Sequence, residues 1–302
     1  MKYTFKSFQA EYPTDEACLD KIMERRYGGT TLTCPGCGVA EAKFHRMNKR
    51  RAYACQECGH HIYPCVGTPF EKSSTKLTLW FFAMYLMTTT RHGVAAKELE
   101  RQLGVTYKTA WRIAHELRKH MAGADFDGPL SGHVEMDETY VGGKHQRRRS
   151  RGRGADALKD KTTVFGMLQR DGGGIVRAGV VKNARRKTLL PLILQNVQRG
   201  STVSTDEAVA YHSLAKEGPY VHESVNHKDE EYVRGIHHVN SLEGFWGHFK
   251  KGIKGTNVGV SKKHMWKYIA EYQYRYNFRD EGTGGLFNRL VLAFQQPRQE
   301  AP

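Results

Sequence analysis

The sequence predicts a multidomain chain: an N-terminal zinc ribbon, an all-α helix-turn-helix domain, and an α/β domain built on a mixed sheet. Three observations carry this. Four of the six cysteines fall in two C-x2-C pairs near the start of the chain. Between residues 77 and 120 the apolar positions recur at helical spacing. From Gly132 onward short strand-like runs take over and then alternate with helical ones. A length of 302 residues accommodates this division. The expected segments are a helix in 1–30, the ribbon in 31–70, the helix-turn-helix domain in 71–123, a linker in 124–131, the sheet domain in 132–280, and a C-terminal tail in 281–302.

Pro13 and Thr14 open the first helix, with Asp15 and Glu16 in its first turn, Arg25 and Arg26 in its last, and Gly28-Gly29 as its stop. Cys34, Cys37, Cys55 and Cys58 follow. Their spacing, C-x2-C-x17-C-x2-C, suits two knuckles that present four thiolates tetrahedrally to one structural Zn2+. Gly36 and Gly38 serve the tight turns, and Lys43–Arg46 and Arg51–Ala54 alternate like strands between the knuckles. Disulfides or inert thiols are the competing readings, disfavoured by compartment and by the paired spacing. Cys18 and Cys65 lie outside the pattern and read as core or spare thiols.

Leu77–Met87 is apolar nearly all round, the mark of a buried helix. A second helix is expected over Ala95–Leu103, Gly104 makes the turn, and Thr106 caps a third helix running to His120. There Ala110, Ile113, Ala114 and Leu117 form the buried stripe, while Lys108, Arg112, His115 and Lys119 take the opposite face. This is a helix-turn-helix pattern in which Lys108, Thr109 and Arg112 are expected to contact DNA. A trihelical bundle without DNA contacts gives the same stripe; the basic setting favours DNA.

Strands are expected at His133–Met136, Thr139–Val141, Thr162–Leu168, Gly174–Val181 and Ser201–Thr205, with a helix over Lys187–Gln198 before the last. Two strands end in an acid, Asp137 and Asp206, and carboxylates at the ends of neighbouring strands can converge on a hard cation. A strand-end acid is also an ordinary turn former. Glu243 opens a further helix and shares an azimuth with Lys250, while Leu242, Trp246, Phe249 and Ile253 make its buried stripe. Asn240-x-x-Glu243 also has the shape of a capping box, which would divert Glu243 to a backbone N–H. Trp266, Tyr268, Tyr272, Tyr274, Tyr276 and Phe278 load a last helix from about Lys262, mostly as core packing.

The formal net charge is +16, and the stretch from Lys144 to Lys187, with fourteen Lys and Arg against Asp156, Asp160 and Asp171, holds +11 of it. A surplus this concentrated predicts a phosphate-binding surface rather than a solubilising face. Its densest part, with Lys144, Arg147, Arg148, Arg149, Arg151 and Arg153, reads as a mobile loop that folds against the DNA backbone. No apolar run reaches the roughly 18 residues of a spanning helix, so a membrane partner is not expected. No signal peptide is apparent, and the cysteine usage suits a reducing interior.

Taken in order, these motifs resemble the ISXO2-like group of bacterial insertion-sequence transposases. The residues that carry the resemblance are the ribbon and helix-turn-helix followed by Met136–Lys144 (MDETYVGGK), Ser204–Tyr211 (STDEAVAY), Asn240–Trp246 (NSLEGFW), Phe249–Thr256 (FKKGIKGT), Val260–His264 (VSKKH) and Tyr274–Arg279 (YRYNFR). The resemblance covers roughly residues 8–280. It implies an RNase H-like catalytic domain in which Asp137, Asp206 and Glu243 bind two Mg2+ (or Mn2+) ions. The family's third position is Asn or Glu, so Asn240 competes with Glu243 there. Lys250 matches the basic residue that follows the third acid and is expected on a DNA phosphate, with Lys251 beside it.

The expected function is a metal-dependent DNA transposase that cleaves at the ends of an insertion sequence and joins the freed 3′-hydroxyl to target DNA. Its partners are double-stranded DNA, as terminal inverted repeats and target, and further copies of itself on DNA. Its expected place is the bacterial cytoplasm, at the nucleoid. The alternatives are a non-catalytic zinc-ribbon/helix-turn-helix regulator and a structure-selective nuclease.

Overall fold

The computed structural model describes residues 3–124, 128–142, 161–206, 211, 219–225 and 237–294. The expected basic loop, with Lys144, Arg147, Arg148, Arg149, Arg151 and Arg153, lies outside the described residues, as do parts of the linker and of the C-terminal tail. The chain forms two compact units, one from Met1–Ala124 with Glu281–Pro302 and the other from Asp125–Asp280.

In the first unit, α1 (Phe5–Glu11) precedes α2 (Asp15–Tyr27). Thr14 caps α2 by accepting the Ala17 N–H, and Gly28 ends it at φ 77°, a left-handed conformation that glycine adopts without strain. Four short antiparallel strands follow in sequence order: β1 (Thr31–Leu32), β2 (Ala42–Arg46), β3 (Tyr53–Cys55) and β4 (His61–Ile62). Three helices come next, α3 (Leu77–Thr89), α4 (Ala96–Leu103) and α5 (Tyr107–Gly123). Asp15 of α2 caps α3 from a distance by accepting the Leu77 and Thr78 N–H groups at 2.9 and 3.0 Å. Gly104 turns the chain at φ 63°, and Thr106 caps α5 by accepting the Thr109 N–H. The expected stripe of Ala110, Ile113, Ala114 and Leu117 is buried. His115 departs from expectation: it is buried and stacked on Trp111 with ring centroids 3.8 Å apart, so it takes no part in an exposed basic face.

The second unit is a five-stranded mixed sheet. Its strands are β5 (His133–Val141), β6 (Thr162–Gln169), β7 (Ile175–Val181), β8 (Thr202–Asp206) and β9 (Val221–Val225), in the order β7-β6-β5-β8-β9. The β5-β6 and β6-β7 pairs are antiparallel; β8 runs parallel to β5, and β9 parallel to β8. Its helices are α6 (Arg186–Asn196), α7 (Asn240–Gly255) and, after a 3-10 turn at Lys262–His264, α8 (Met265–Asn277). The period of two along β5 sorts its side chains. Val134 and Met136 pack with Leu189 and Ile193 of α6 on one face. Val141 packs with Leu242, Trp246 and Phe249 of α7 and Tyr272 of α8 on the other. Both faces of the sheet are therefore covered by helices.

Two expectations for this unit change. The two short strands expected at 133–136 and 139–141 are one nine-residue strand, because Asp137 and Glu138 pair in register with Gly166 and Phe165 of β6 instead of breaking the ladder. Strand β9 was not anticipated.

Residues 282–292, expected within a tail, form a further helix, α9 (Gly282–Leu292), that completes the first unit's core. Phe287 is fully buried among Tyr3, Phe8, Tyr12 and Phe81. Gly284 is required where α9 passes Tyr3, since a Cβ there would stand 2.8 Å from the Tyr3 Cβ.

Candidate active site and cysteine centre

The ligand sulfurs of Cys34, Cys37, Cys55 and Cys58 all lie within 4.8 Å of one another, the one such group of metal-ligating side chains among the described residues. The knuckles are shaped by backbone bonds, the Gly38 N–H to the Cys34 carbonyl and the Gly59 N–H to the Cys55 carbonyl, with Gly38 and Gly59 both at φ 73°. Burial opposes ionisation of Cys34, but the backbone N–H groups of Cys37 and Gly36, together with the thiols of Cys37 and Cys55, outweigh it and draw its thiol down to about 7. Cys58 accepts the His60 N–H, yet burial and its three sulfur neighbours push its thiol up to about 12. A fourth thiolate beside three others needs a cation among them, and an S4 donor set at this spacing fits structural Zn2+. Cys18 and Cys65 are buried away from the cluster, as expected.

The second centre is acidic. Asp137 lies on β5 and Asp206 ends β8, one step beyond the parallel Met136–Thr205 pair, so the two occupy corresponding positions on neighbouring strands. Glu243 lies in the first turn of α7, the helix that covers this face of the sheet. Asp137 feels the whole group: burial first, then the charges of Asp206, Glu138 and Glu243, raise its carboxyl from 3.8 to about 7. One of its oxygens accepts the Trp246 indole N–H at 3.1 Å and the other the Glu138 N–H at 2.8 Å.

Trp246 reaches Asp137 because the residue opposite Asp137 on β6 is Gly166, where a Cβ would lie 2.5 Å from the indole ring. Glu138 points to the other face, accepting the Tyr211 hydroxyl at 2.6 Å. Burial, and then the Glu138 carboxylate, push that phenol well above its ordinary value.

The capping box that competed for Glu243 is not made. Val239 is the N-cap of α7 and its side chain makes no capping bond, while Asn240 and Glu243 are both exposed within the first turn. Lys250, half-buried, follows Glu243 by two turns of α7, and Lys251 is exposed.

In the first unit Lys108 is exposed at the start of α5, and the Thr109 hydroxyl accepts from that of Thr106. Arg112 is held within its own unit, donating to the Ser73 hydroxyl at 3.1 Å and lying over the Trp80 ring.

Glu135 escaped the sequence reading. It is fully buried on the same strand face as Asp137, two residues before it, and meets Arg170, His238 and the Leu242 N–H. An acid in an alternating strand reads as solvent-facing; the available signal was that Glu135 and Asp137 share a face in a domain whose helices suffice to cover both sides of the sheet.

Both units have counterparts among known transposases. Residues 129–277 match the ISXO2-like transposase domain, and residues 13–61 match the transposase zinc-ribbon domain. A Halobacterium salinarum protein, named as an uncharacterized protein in transposable element ISH50, is 32% identical across 86% of this chain and 90% of its own length. An uncharacterized transposase-like protein of Haemophilus influenzae is 32% identical over 32% of this chain and 77% of its own length. The chain belongs to the ISXO2-like transposase family.

Proposed function

We propose that the protein cleaves DNA at the ends of its insertion sequence and transfers the freed strand to target DNA, using Asp137, Asp206 and Glu243 as the ligands of two divalent ions. The observation that carries this reading is the gathering of negative charge on Asp137: three further carboxylates bear on a half-buried one. An all-oxygen donor set of this kind fits Mg2+ or Mn2+. When bound, such ions supply Lewis acidity that activates a water or 3′-hydroxyl and stabilises the departing oxygen at phosphorus. Trp246 holds one Asp137 oxygen in place, and Glu243, free of any capping bond, supplies the third carboxylate in preference to Asn240. Lys250 takes a DNA phosphate with Lys251 beside it, and in the first unit Lys108, Thr109 and Arg112 are the DNA contacts of the helix-turn-helix. The +11 stretch between Lys144 and Lys187 draws phosphates toward acids that otherwise repel them.

The test is a strand-transfer assay on duplexes carrying the inverted repeats that flank the gene, with Mg2+. Joined products support the reading; cleavage alone assigns a structure-selective nuclease, and binding alone a zinc-ribbon/helix-turn-helix regulator.

A further inference from the structure

We propose that Glu135 is a positioning residue, a buried carboxylate that fixes the helix carrying Glu243 against the strand carrying Asp137. The proposal rests on the reading of those acids as the active site. One Glu135 oxygen accepts the Leu242 N–H at 2.9 Å, which gives α7 the N-terminal cap that its own first residues do not provide. The other accepts from Arg170 Nε at 2.6 Å and stands 3.3 Å from His238 Nδ1. Arg170 in turn donates to the His238 carbonyl at 2.5 Å, so the approach to α7 is gripped twice.

The same network reaches β8. Arg170 contacts His133 Nδ1 at 3.3 Å, His133 Nε2 meets the Ser204 hydroxyl at 2.7 Å, and that hydroxyl meets His237 Nδ1 at 2.9 Å. Glu135 and Ser204 are register partners in the parallel β5-β8 pair, each two residues before the acid of its strand. Leu242 immediately precedes Glu243. A polar layer thus lies two residues back along the strands from Asp137 and Asp206, meets α7 one residue before Glu243, and joins the three elements. Replacing a buried ion pair with apolar packing is often neutral or stabilising, so the role inferred for this one is geometric rather than stabilising.

Two variants of the full chain break this layer in different ways. Glu135→Asp keeps the charge facing Arg170 and withdraws the carboxylate from Leu242 by one methylene. The double variant Glu135→Leu/Arg170→Met replaces the ion pair with apolar side chains and leaves Leu242 uncapped.

Amide hydrogen exchange at Leu242, read without DNA and without added Mg2+, is expected to quicken about tenfold or more in both. Mg2+-dependent cleavage is expected to slow by at least a similar factor, while binding to an inverted-repeat duplex without Mg2+ stays unchanged. A folded variant in which Leu242 exchanges as in the wild type, or which cleaves at the wild-type rate, overturns the proposal. A wild type with a protected Leu242 but no Mg2+-dependent cleavage sinks the assignment of the acids instead, and leaves the exchange test of the clamp standing.

Discussion

Burial of Asp137, together with the charge gathered around it, makes the folded protein sensitive to pH in the absence of divalent ions. A carboxyl moved from 3.8 to about 7 corresponds to about 4 kcal/mol between its protonated and ionised folded forms. The unfolded chain gives up this proton near its ordinary value, whereas the folded chain keeps it. The associated stability is therefore complete below about pH 4 and is lost as pH rises through about 7. Roughly 3 kcal/mol of the loss falls between pH 5 and 8. Asp137→Asn cannot ionise, and its amide oxygen still accepts from Trp246. Urea unfolding in buffer free of Mg2+ and Mn2+ is the assay, with the difference between variant and wild type isolating this one group from the thiols. The variant should gain on the wild type by about 3 kcal/mol from pH 5 to 8. Parallel pH profiles for the two proteins would refute the reasoning. Mg2+ should restore the wild type at pH 8 and leave the variant unmoved.

Four other outcomes are expected. Gly166→Ala forces the Trp246 ring off the sheet, costing about 1–3 kcal/mol in a thermal melt and slowing cleavage through the lost indole bond to Asp137. Glu243→Gln abolishes Mg2+-dependent cleavage while changing stability by less than about 0.5 kcal/mol, since the side chain is exposed and caps nothing; full activity would remove Glu243 from the site. Cys37→Ser removes bound zinc, measured per chain by metal analysis, and with it a share of the roughly 10–16 kcal/mol by which zinc folds such modules. Replacing Arg147, Arg148, Arg149, Arg151 and Arg153 together with Gln weakens DNA binding and flattens its salt dependence, by about 0.9 in slope for each phosphate no longer neutralised.

What the sequence disclosed depended on whether the signal was local. Thr14, Thr106, Gly28 and Gly104 act on their own helix ends, and all four stand where a reading of caps and stops puts them. The cysteine spacing likewise encodes its own knuckles. Asp137 and Asp206 were visible as strand-end acids, although Asp137 lies inside a longer strand whose pairing with β6 overrides the local break.

Non-local arrangements were hidden. The cap of α7 comes from Glu135, 107 residues earlier in the chain, so the local Asn240-x-x-Glu243 pattern suggested a box that is not made. Helix α9 contains Gly282, Gly284 and Gly285, poor helix formers that tertiary packing overrides. His115 sits at a helical spacing that marks a polar face, but stacking on Trp111 decides its place. Strand β9, with His222, Glu223 and Ser224 among its five residues, lacks the apolar content that marks a strand, and its parallel partner β8 supplies the ladder.

The position of α9 also orders events in time. Tyr3 and Phe8 meet Phe287, so the first unit's core joins side chains separated by nearly the whole chain. The entropic penalty of closing so large a loop grows only logarithmically, but contacts this distant form late. In chain order the zinc and helical elements precede α9, the helix that completes their core, by more than 150 residues. A chain interrupted after residue 280 carries every acid of the candidate active site and lacks a finished first unit. Maturation of the unit that holds the zinc ribbon therefore depends on residues that follow every acid of the candidate active site in the chain.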